Sequence, residues 1–158
     1  MAILEAVLLA VGSAGKISKT VEKIAHALDS DRSVVLIVEN ATQHPLERVS
    51  THHDHGGFVE TPAIAIPPMS VGVFSSGDIG LATGTVGQVV YRLRDDKPED
   101  TVLEINWANP FIGTNKATGF AWANGGKSPH KASTIYKGAA VAAGGDKKVE
   151  MRYSLLKR

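Results

Sequence analysis

The sequence contains no cysteine, which excludes disulfide frameworks and metal sites built from thiolates. It also carries little net charge, +1 at pH 7, which argues against a general nucleic-acid-binding protein. Neither feature decides the compartment, because a reducing cytoplasm and a disulfide-free exported protein both fit. With 158 residues, the chain has the size of one domain that can bury a core without cross-links.

Long apolar runs are absent as well. No stretch reaches the ~20 consecutive apolar residues that a lone transmembrane helix needs. The most apolar segment, residues 3–11, contains Glu5 and has no lysine or arginine before it, so it lacks the charge pattern of a clear signal peptide. Basic residues are concentrated between Lys127 and Arg158, which fits either a surface for anionic lipids or sugars, or a solvated face.

The clearest helical pattern covers residues 3–28. Apolar residues recur there in steps of four and three, and so share one face of a helix: Ile3, Val7, Ala10, Ala14, Ile17, Val21, Ile24 and Leu28. Four charged residues fall on the other side: Glu5, Lys16, Lys19 and Lys23. The pattern predicts an amphipathic helix whose apolar face either packs against the protein core or leaves the core and becomes buried in a bilayer. Several copies around a water-filled pore would keep its lysines in water.

Short strands separated by turn signals follow from residue 32 onwards, which is typical of a β-sandwich. Residues 34–38 are apolar on both faces, and this predicts a strand covered on both sides. Residues 103–107 and 149–155 alternate between apolar and polar, which predicts one buried face and one solvated face. A short helix is predicted at about residues 129–137, with Ser128 as its cap.

The sequence therefore predicts a mainly β protein, a β-sandwich flanked by two α-helices. A single domain is expected over residues 1–158, with the amphipathic, potentially membrane-inserting helix at 1–28 and the sandwich body at 32–158.

Nucleotide and catalytic signatures are also lacking. The glycine-rich segment 77–91 has neither GxGxxG nor Gly-Lys-Ser/Thr, and a strand follows where a phosphate site needs a helix. Glycines before a strand more often mark a bulge or a close approach of the backbone. No Ser/His/Asp or paired-carboxylate pattern stands out, so we expect no enzyme and no cofactor.

The segment Thr51–His55, THHDH, resembles a metal-binding cluster in composition. It runs into two glycines, and no second group of ligands occurs at a recognisable spacing. We predict no metal site here. A turn is the simplest explanation, and a pH-sensitive patch formed by His52, Asp54 and His55 stays open as an alternative.

Apolar side chains are predicted at the tip of a loop. Asn109-Pro110 starts a turn, which leaves Phe111 and Ile112 in an exposed position. Contact with a membrane interface or with a choline headgroup would explain them, as it would Trp107 and Tyr136. Burial in the core is the alternative for Trp107.

Six segments occur after the first predicted helix in the order RSVVLIVEN, IPPMSVGVFSSG, GLATGTVGQVVY, INWANPF, IYKG and KVEMRYSLLKR. This order resembles that of the actinoporins, the pore-forming cytolysins of sea anemones, and of their relatives in other organisms. The resemblance covers nearly the whole chain. It implies a soluble monomer, secreted or released, that binds the target-cell membrane, forms a homo-oligomer there and inserts its N-terminal helix to line a pore.

The resemblance also implies a pocket for lipid headgroups. By position, Pro110 and Tyr136 match a proline and a tyrosine of the family's pocket, and Leu81 takes the place of a pocket valine. Gly56 and Ala108 replace two pocket serines. With fewer aromatic residues than the family, choline recognition is expected to be weak. The expected partners are thus membrane lipids, with phosphocholine headgroups among them, or a surface glycan, and no nucleic acid. The alternative function is a lectin-like module that binds carbohydrate or a lipid headgroup without lysis.

Overall fold

A computed structural model of the chain describes residues 7–10, 19, 32–40, 42–79, 83–94, 101–110, 112, 116–123, 137–143 and 149–155. For the segments 7–10, 116–123, 137–143 and 149–155, the description concerns the backbone. Within these residues the chain forms eleven β-strands in two sheets. They are β1 (Val7–Ala10), β2 (Ser33–Asn40), β3 (Leu46–His55), β4 (Gly57–Glu60), β5 (Ala65–Ile66), β6 (Ser70–Gly77), β7 (Gly84–Leu93), β8 (Thr101–Pro110), β9 (Lys116–Ala123), β10 (Lys137–Ala143) and β11 (Val149–Leu155).

The larger sheet has six strands, with β1, β6, β2, β10 and β11 side by side. The strand β4 also pairs with β6. It lies along the half of the β6 edge that β1 leaves uncovered. The smaller sheet has five strands in the order β5, β3, β7, β8 and β9, all antiparallel. The prediction of a mainly β protein is therefore confirmed.

The core lies between the two sheets. The larger sheet contributes Val34, Leu36 and Phe74, and the smaller sheet contributes rows of residues from β7 and β8 that include Tyr91 and Trp107. Each fully buried aliphatic or aromatic side chain contributes roughly 1.5–3 kcal/mol to folding, so these rows hold the sheets together.

Two predictions about single strands are confirmed. Both faces of β2 are covered, since Val34 on the core side and Val35 on the other side are both almost fully buried. In β8, Leu103, Ile105 and Trp107 are buried, and the polar residues between them are half-buried on the opposite face.

The N-terminal segment differs from its prediction. Val7–Ala10 form the edge strand β1, antiparallel to β6, with Val7 opposite Val73 and Ala10 opposite Ser70. The prediction of one continuous helix over residues 3–28 is thus wrong at Val7–Ala10. A short run that is apolar at every position fits a strand as well as a helix, and the free edge of β6 decides between them.

The other helical predictions lie largely outside the described residues. Lys19 is exposed, whereas Glu5, Lys16 and Lys23 and the helix predicted at 129–137 fall on positions that the structure does not describe, apart from Lys137, which begins β10. Among the described residues, no helix has the length and apolar character to cross a membrane.

Candidate functional site

Several strands begin or end together at one end of the sandwich, which we call the Pro110 end. The strand β8 ends at Pro110 opposite Gly84, where β7 begins. In the larger sheet, β6 ends at Gly77 opposite Gly57, where β4 begins. The strand β3 also ends here, with His55 opposite Val86. Loops from both sheets therefore meet at this end.

Glycines allow these strand ends to approach one another closely. A Cβ atom at Gly56 would lie 2.4 Å from the carbonyl oxygen of Gly77 and 3.1 Å from that of Gly84. Gly56 also has a φ of +82°, and Gly84 has a φ of +72°, in the region that favours glycine. No residue with a side chain fits at Gly56 without moving the backbone.

Gly87 makes room for the indole of Trp107. A Cβ atom at Gly87 would lie 2.5 Å from Cζ2 of Trp107 and 2.7 Å from the carbonyl oxygen of His52. The prediction that the glycine-rich segment marks a close approach of the backbone is confirmed at this residue. The ring in turn fills the core beneath β7.

A buried chain of hydrogen bonds runs under the Pro110 end. The Nε1–H of Trp107 donates to Oγ1 of Thr85 at 3.1 Å, and that hydroxyl lies 2.6 Å from Oγ of Ser76. The Ser76 hydroxyl donates to the carbonyl oxygen of Gly57 at 3.0 Å. With its one hydrogen used in this way, Ser76 Oγ accepts from Thr85 and from Nε2 of His53, which is 2.8 Å away.

His53 belongs to the core side of this end. Its ring contacts Phe58 and Trp107 edge to face, with centroid distances of 4.5 and 5.4 Å. Burial, and to a smaller extent the neighbouring His52, lowers the pKa of His53 below its usual range. A neutral ring that donates through Nε2 fits both the lowered pKa and the acceptor on Ser76.

The segment Thr51–His55 is not a turn, because it forms the last five residues of β3. His53 faces the core, while His52 and Asp54 are exposed and hydrogen-bonded to each other at 2.9 Å. In the part of the chain that the structure describes, no three such side chains are grouped as a metal site would require.

The predicted contact residues have different positions. Ile112 is 86 % exposed, and Pro110 is half-buried at the end of β8. Trp107, in contrast, is 2 % exposed, so its ring offers no face to a lipid, and the predicted membrane contact of Trp107 is corrected to a core role. Leu81, Phe111 and Tyr136 lie outside the described residues.

The sequence-based reasoning missed Ile79. This residue follows the end of β6, is 68 % exposed, and lies against the backbone of Gly57. A large aliphatic residue two positions after the Ser-Ser-Gly that ends a strand is the signal that could have identified it. Ile79 and Ile112 thus extend from the loops of different sheets at the same end.

An open cleft lies beside this end, on the outer face of the smaller sheet. Its volume is about 210 Å³, and its walls include His52, Asp54, Val86, Gln88, Asn106 and Ala108. Gly87 and Trp107 complete the lining. The Gln88 amide donates to Oδ1 of Asn106 at 3.0 Å and also contacts the carboxylate of Glu104. Burial raises the pKa of Glu104, and its hydrogen bond with Asn106 acts against this rise. We call this site the polar cleft.

Comparison of the chain with protein-family profiles and with curated protein sequences gives no match. Among solved structures, the fold is similar to the crystal structure of Nakanori, which is described as a lipid-binding protein. The TM-score is 0.61 at 18 % sequence identity, and the match covers 90 % of this chain and 79 % of Nakanori. At this identity the similarity shows a shared sandwich fold and nothing more specific.

Proposed function

We propose that this protein binds lipid membranes through its Pro110 end. The observation that carries the proposal is the exposure of Ile79 and Ile112, at 68 % and 86 %, on loops of both sheets at this end. Transfer of one such side chain from water into an apolar environment is favourable by roughly 1.5–3 kcal/mol. Two of them on one end give a surface that a membrane interface can bury. The fold shared with a lipid-binding protein supports the same function.

The polar cleft fits a lipid headgroup better than an acyl chain. With about 210 Å³ it is smaller than the roughly 300–1,000 Å³ of typical small-molecule pockets. It is also lined by several polar side chains, which an acyl chain could not satisfy. We therefore propose recognition at the membrane surface, without extraction of the lipid and without catalysis.

Pore formation is the further step of this proposal. Membrane-bound protomers of a released protein would assemble, and residues 3–28 would insert with Glu5, Lys16, Lys19 and Lys23 towards water. Two observations favour it: the amphipathic pattern of the segment, and the edge position of β1, which can leave β6 without dividing the sheet. The alternative is the same membrane or glycan binding without lysis.

Vesicle binding tests the docking surface. We expect Ile79→Ser and Ile112→Ser each to weaken partitioning onto vesicles of phosphatidylcholine, sphingomyelin and cholesterol by roughly ten-fold or more, because each loses an aliphatic side chain from the contact. Cosedimentation over a range of lipid concentrations measures it. Ile64→Ser is the matched control, since Ile64 is 72 % exposed near the opposite end of the sandwich.

An equal loss in Ile64→Ser would indicate general hydrophobic adsorption and contradict the proposed surface. Unchanged binding in both Pro110-end variants would contradict it as well. Dye release from the same vesicles then separates the two forms of the proposal. Binding with leakage supports a pore, and binding without leakage from any lipid mixture supports the non-lytic module.

A further inference from the structure

We infer that the polar cleft binds the hydroxyl-rich sugar headgroup of a glycolipid in preference to phosphocholine. The inference rests on the proposed membrane docking, because that docking brings the cleft to the level of the headgroups. It adds the chemical class of the lipid, which the docking surface alone does not define.

The position of the cleft suits a headgroup. Ala108 and Asn106 lie two and four residues before Pro110 on β8, or about 7 and 13 Å along the strand at 3.3 Å per residue. With Ile112 buried in the interface, the cleft would open just above the membrane surface. A sugar ring that projects from the bilayer reaches this height.

The cleft is also a shaped site rather than a chance gap between side chains. Asp54 is the extra residue of a β-bulge, because His53 pairs with Gly87 and His55 pairs with the next residue of β7, Val86. Bulges redirect a side chain relative to a regular strand. Behind the cleft, the indole of Trp107 leaves no room for a side chain at Gly87, so the floor is fixed by core packing.

The polar groups match adjacent hydroxyls. Each sugar hydroxyl both donates and accepts, so it needs an acceptor such as the Asp54 carboxylate and a donor such as an amide NH₂. Oδ1 of Asn106 already accepts from Gln88, which leaves its Nδ2 as the donor for a ligand. One of the two N–H groups on this Nδ2 donates to the carboxylate of Glu104, so the second N–H is the donor proposed for a ligand. Val86 and Ala108 supply small apolar surfaces for the C–H groups of a ring.

The same lining is unsuited to phosphocholine. A quaternary ammonium group is held by exposed faces of Trp, Tyr or Phe, and among the described residues that line the cleft the ring of this kind is that of Trp107, which is 2 % exposed. A phosphate would need cationic partners, yet no lysine or arginine is among the described residues that line the cleft. The carboxylate of Asp54 would repel it. A neutral polyol meets none of these obstacles.

The test uses the full chain and three kinds of vesicle. Phosphatidylcholine vesicles contain either glucosylceramide, sphingomyelin or neither addition, and binding is measured by cosedimentation. We expect glucosylceramide to strengthen binding roughly ten-fold or more relative to sphingomyelin, as a few charge-assisted and amide hydrogen bonds would. Asp54→Asn should reduce this preference to less than about two-fold, because it removes the charged acceptor from the cleft.

Asp78→Asn is the matched control, because it removes the same charge at the same end without lining the cleft. It should keep the preference. Equal or stronger binding with sphingomyelin would overturn the inference, as would an unchanged preference in Asp54→Asn. If soluble methyl glucoside binds as tightly as the sugar on vesicles, the assignment of the ligand to a membrane glycolipid would be refuted.

The two proposals fail in different ways. If the protein binds no vesicle, the docking surface fails and the inference with it. If binding depends on Ile79 and Ile112 but shows no preference for the glycolipid, the headgroup inference alone is refuted.

Discussion

Gly87 is the residue whose identity the core specifies most directly. Gly87→Ala places a methyl group 2.5 Å from Cζ2 of Trp107 and 2.7 Å from a backbone oxygen, and neither atom can move freely. We expect a loss of about 1–3 kcal/mol in the free energy of unfolding, as for other overpacked positions. Urea denaturation followed by tryptophan fluorescence measures it.

Gly57→Ala provides the matched control for this prediction. Its new methyl group would meet Cδ1 of Ile79 at 2.4 Å, but that atom is the far end of an exposed side chain and can rotate away. We expect a change below about 1 kcal/mol. Similar losses in the two variants would contradict the role assigned to the indole.

His53 makes stability depend on pH. Its pKa in the folded state lies below the ordinary value of 6.5, so on acidification the unfolded chain binds the proton first. Stability should therefore fall as the pH drops through about 6.5, until the pH passes the lowered pKa of the folded state. Thermal unfolding of wild type and His53→Gln between pH 7.5 and 5 tests this, and the variant should show a smaller slope.

The informative quantity is the difference in the pH dependence of stability between wild type and His53→Gln. Burial raises the pKa of Glu60 and Glu104, so these two groups lower stability as the pH rises above about 4.5 and oppose the effect of His53. NMR titration of the His53 ring gives a direct check. A midpoint at or above 6.5 in the folded protein would contradict the prediction.

Among the elements, the strands of the sandwich body were largely predictable. Residues 103–107 have a burial pattern that follows from their apolar period alone, because a strand exposes alternate residues to opposite faces. The uninterrupted apolar run 34–38, which is rich in valine and isoleucine, is typical of a strand covered on both faces. The segment 7–10 was not predictable in this way. Its four apolar residues carry no period, and its partner on β6 lies about 60 residues away in the sequence.

The candidate site was only partly predictable, because it too depends on contacts between residues that are far apart in the sequence. Ile112 was identified because Asn109-Pro110 signals a turn within a local window. Ile79 was missed, and membrane contact and core burial both stayed open for Trp107, because the exposure of these residues depends on which strand ends meet. Contacts between residues far apart in the sequence determine which strand ends lie together. One of them is the hydrogen bond from Nδ2 of Asn109 to the carbonyl oxygen of Ser33, which joins β8 to β2 although the two residues are 76 positions apart.

At the scale of the whole molecule, the proposed pore formation would require β1 to leave the larger sheet. Residues 3–28 contain Val7–Ala10, so the proposed insertion breaks the ladder between β1 and β6. A disulfide across this ladder would prevent it. Ala10 and Ser70 are directly opposite each other, at a separation of about 4.5–5.5 Å in antiparallel pairs, and disulfides span about 4.4–6.8 Å between Cα atoms.

We expect the double variant Ala10→Cys with Ser70→Cys, when oxidised, to bind vesicles like wild type but to release no dye. Reduction should restore release. The natural chain has no cysteine, so the engineered pair forms the one disulfide available within a chain, and the two single-cysteine variants control for the substitutions themselves. Wild-type leakage from the oxidised protein would mean that β1 stays in the sheet while membranes are permeabilised. The insertion of residues 3–28 would then be excluded, because those residues cannot cross a bilayer while Ala10 remains bonded to β6.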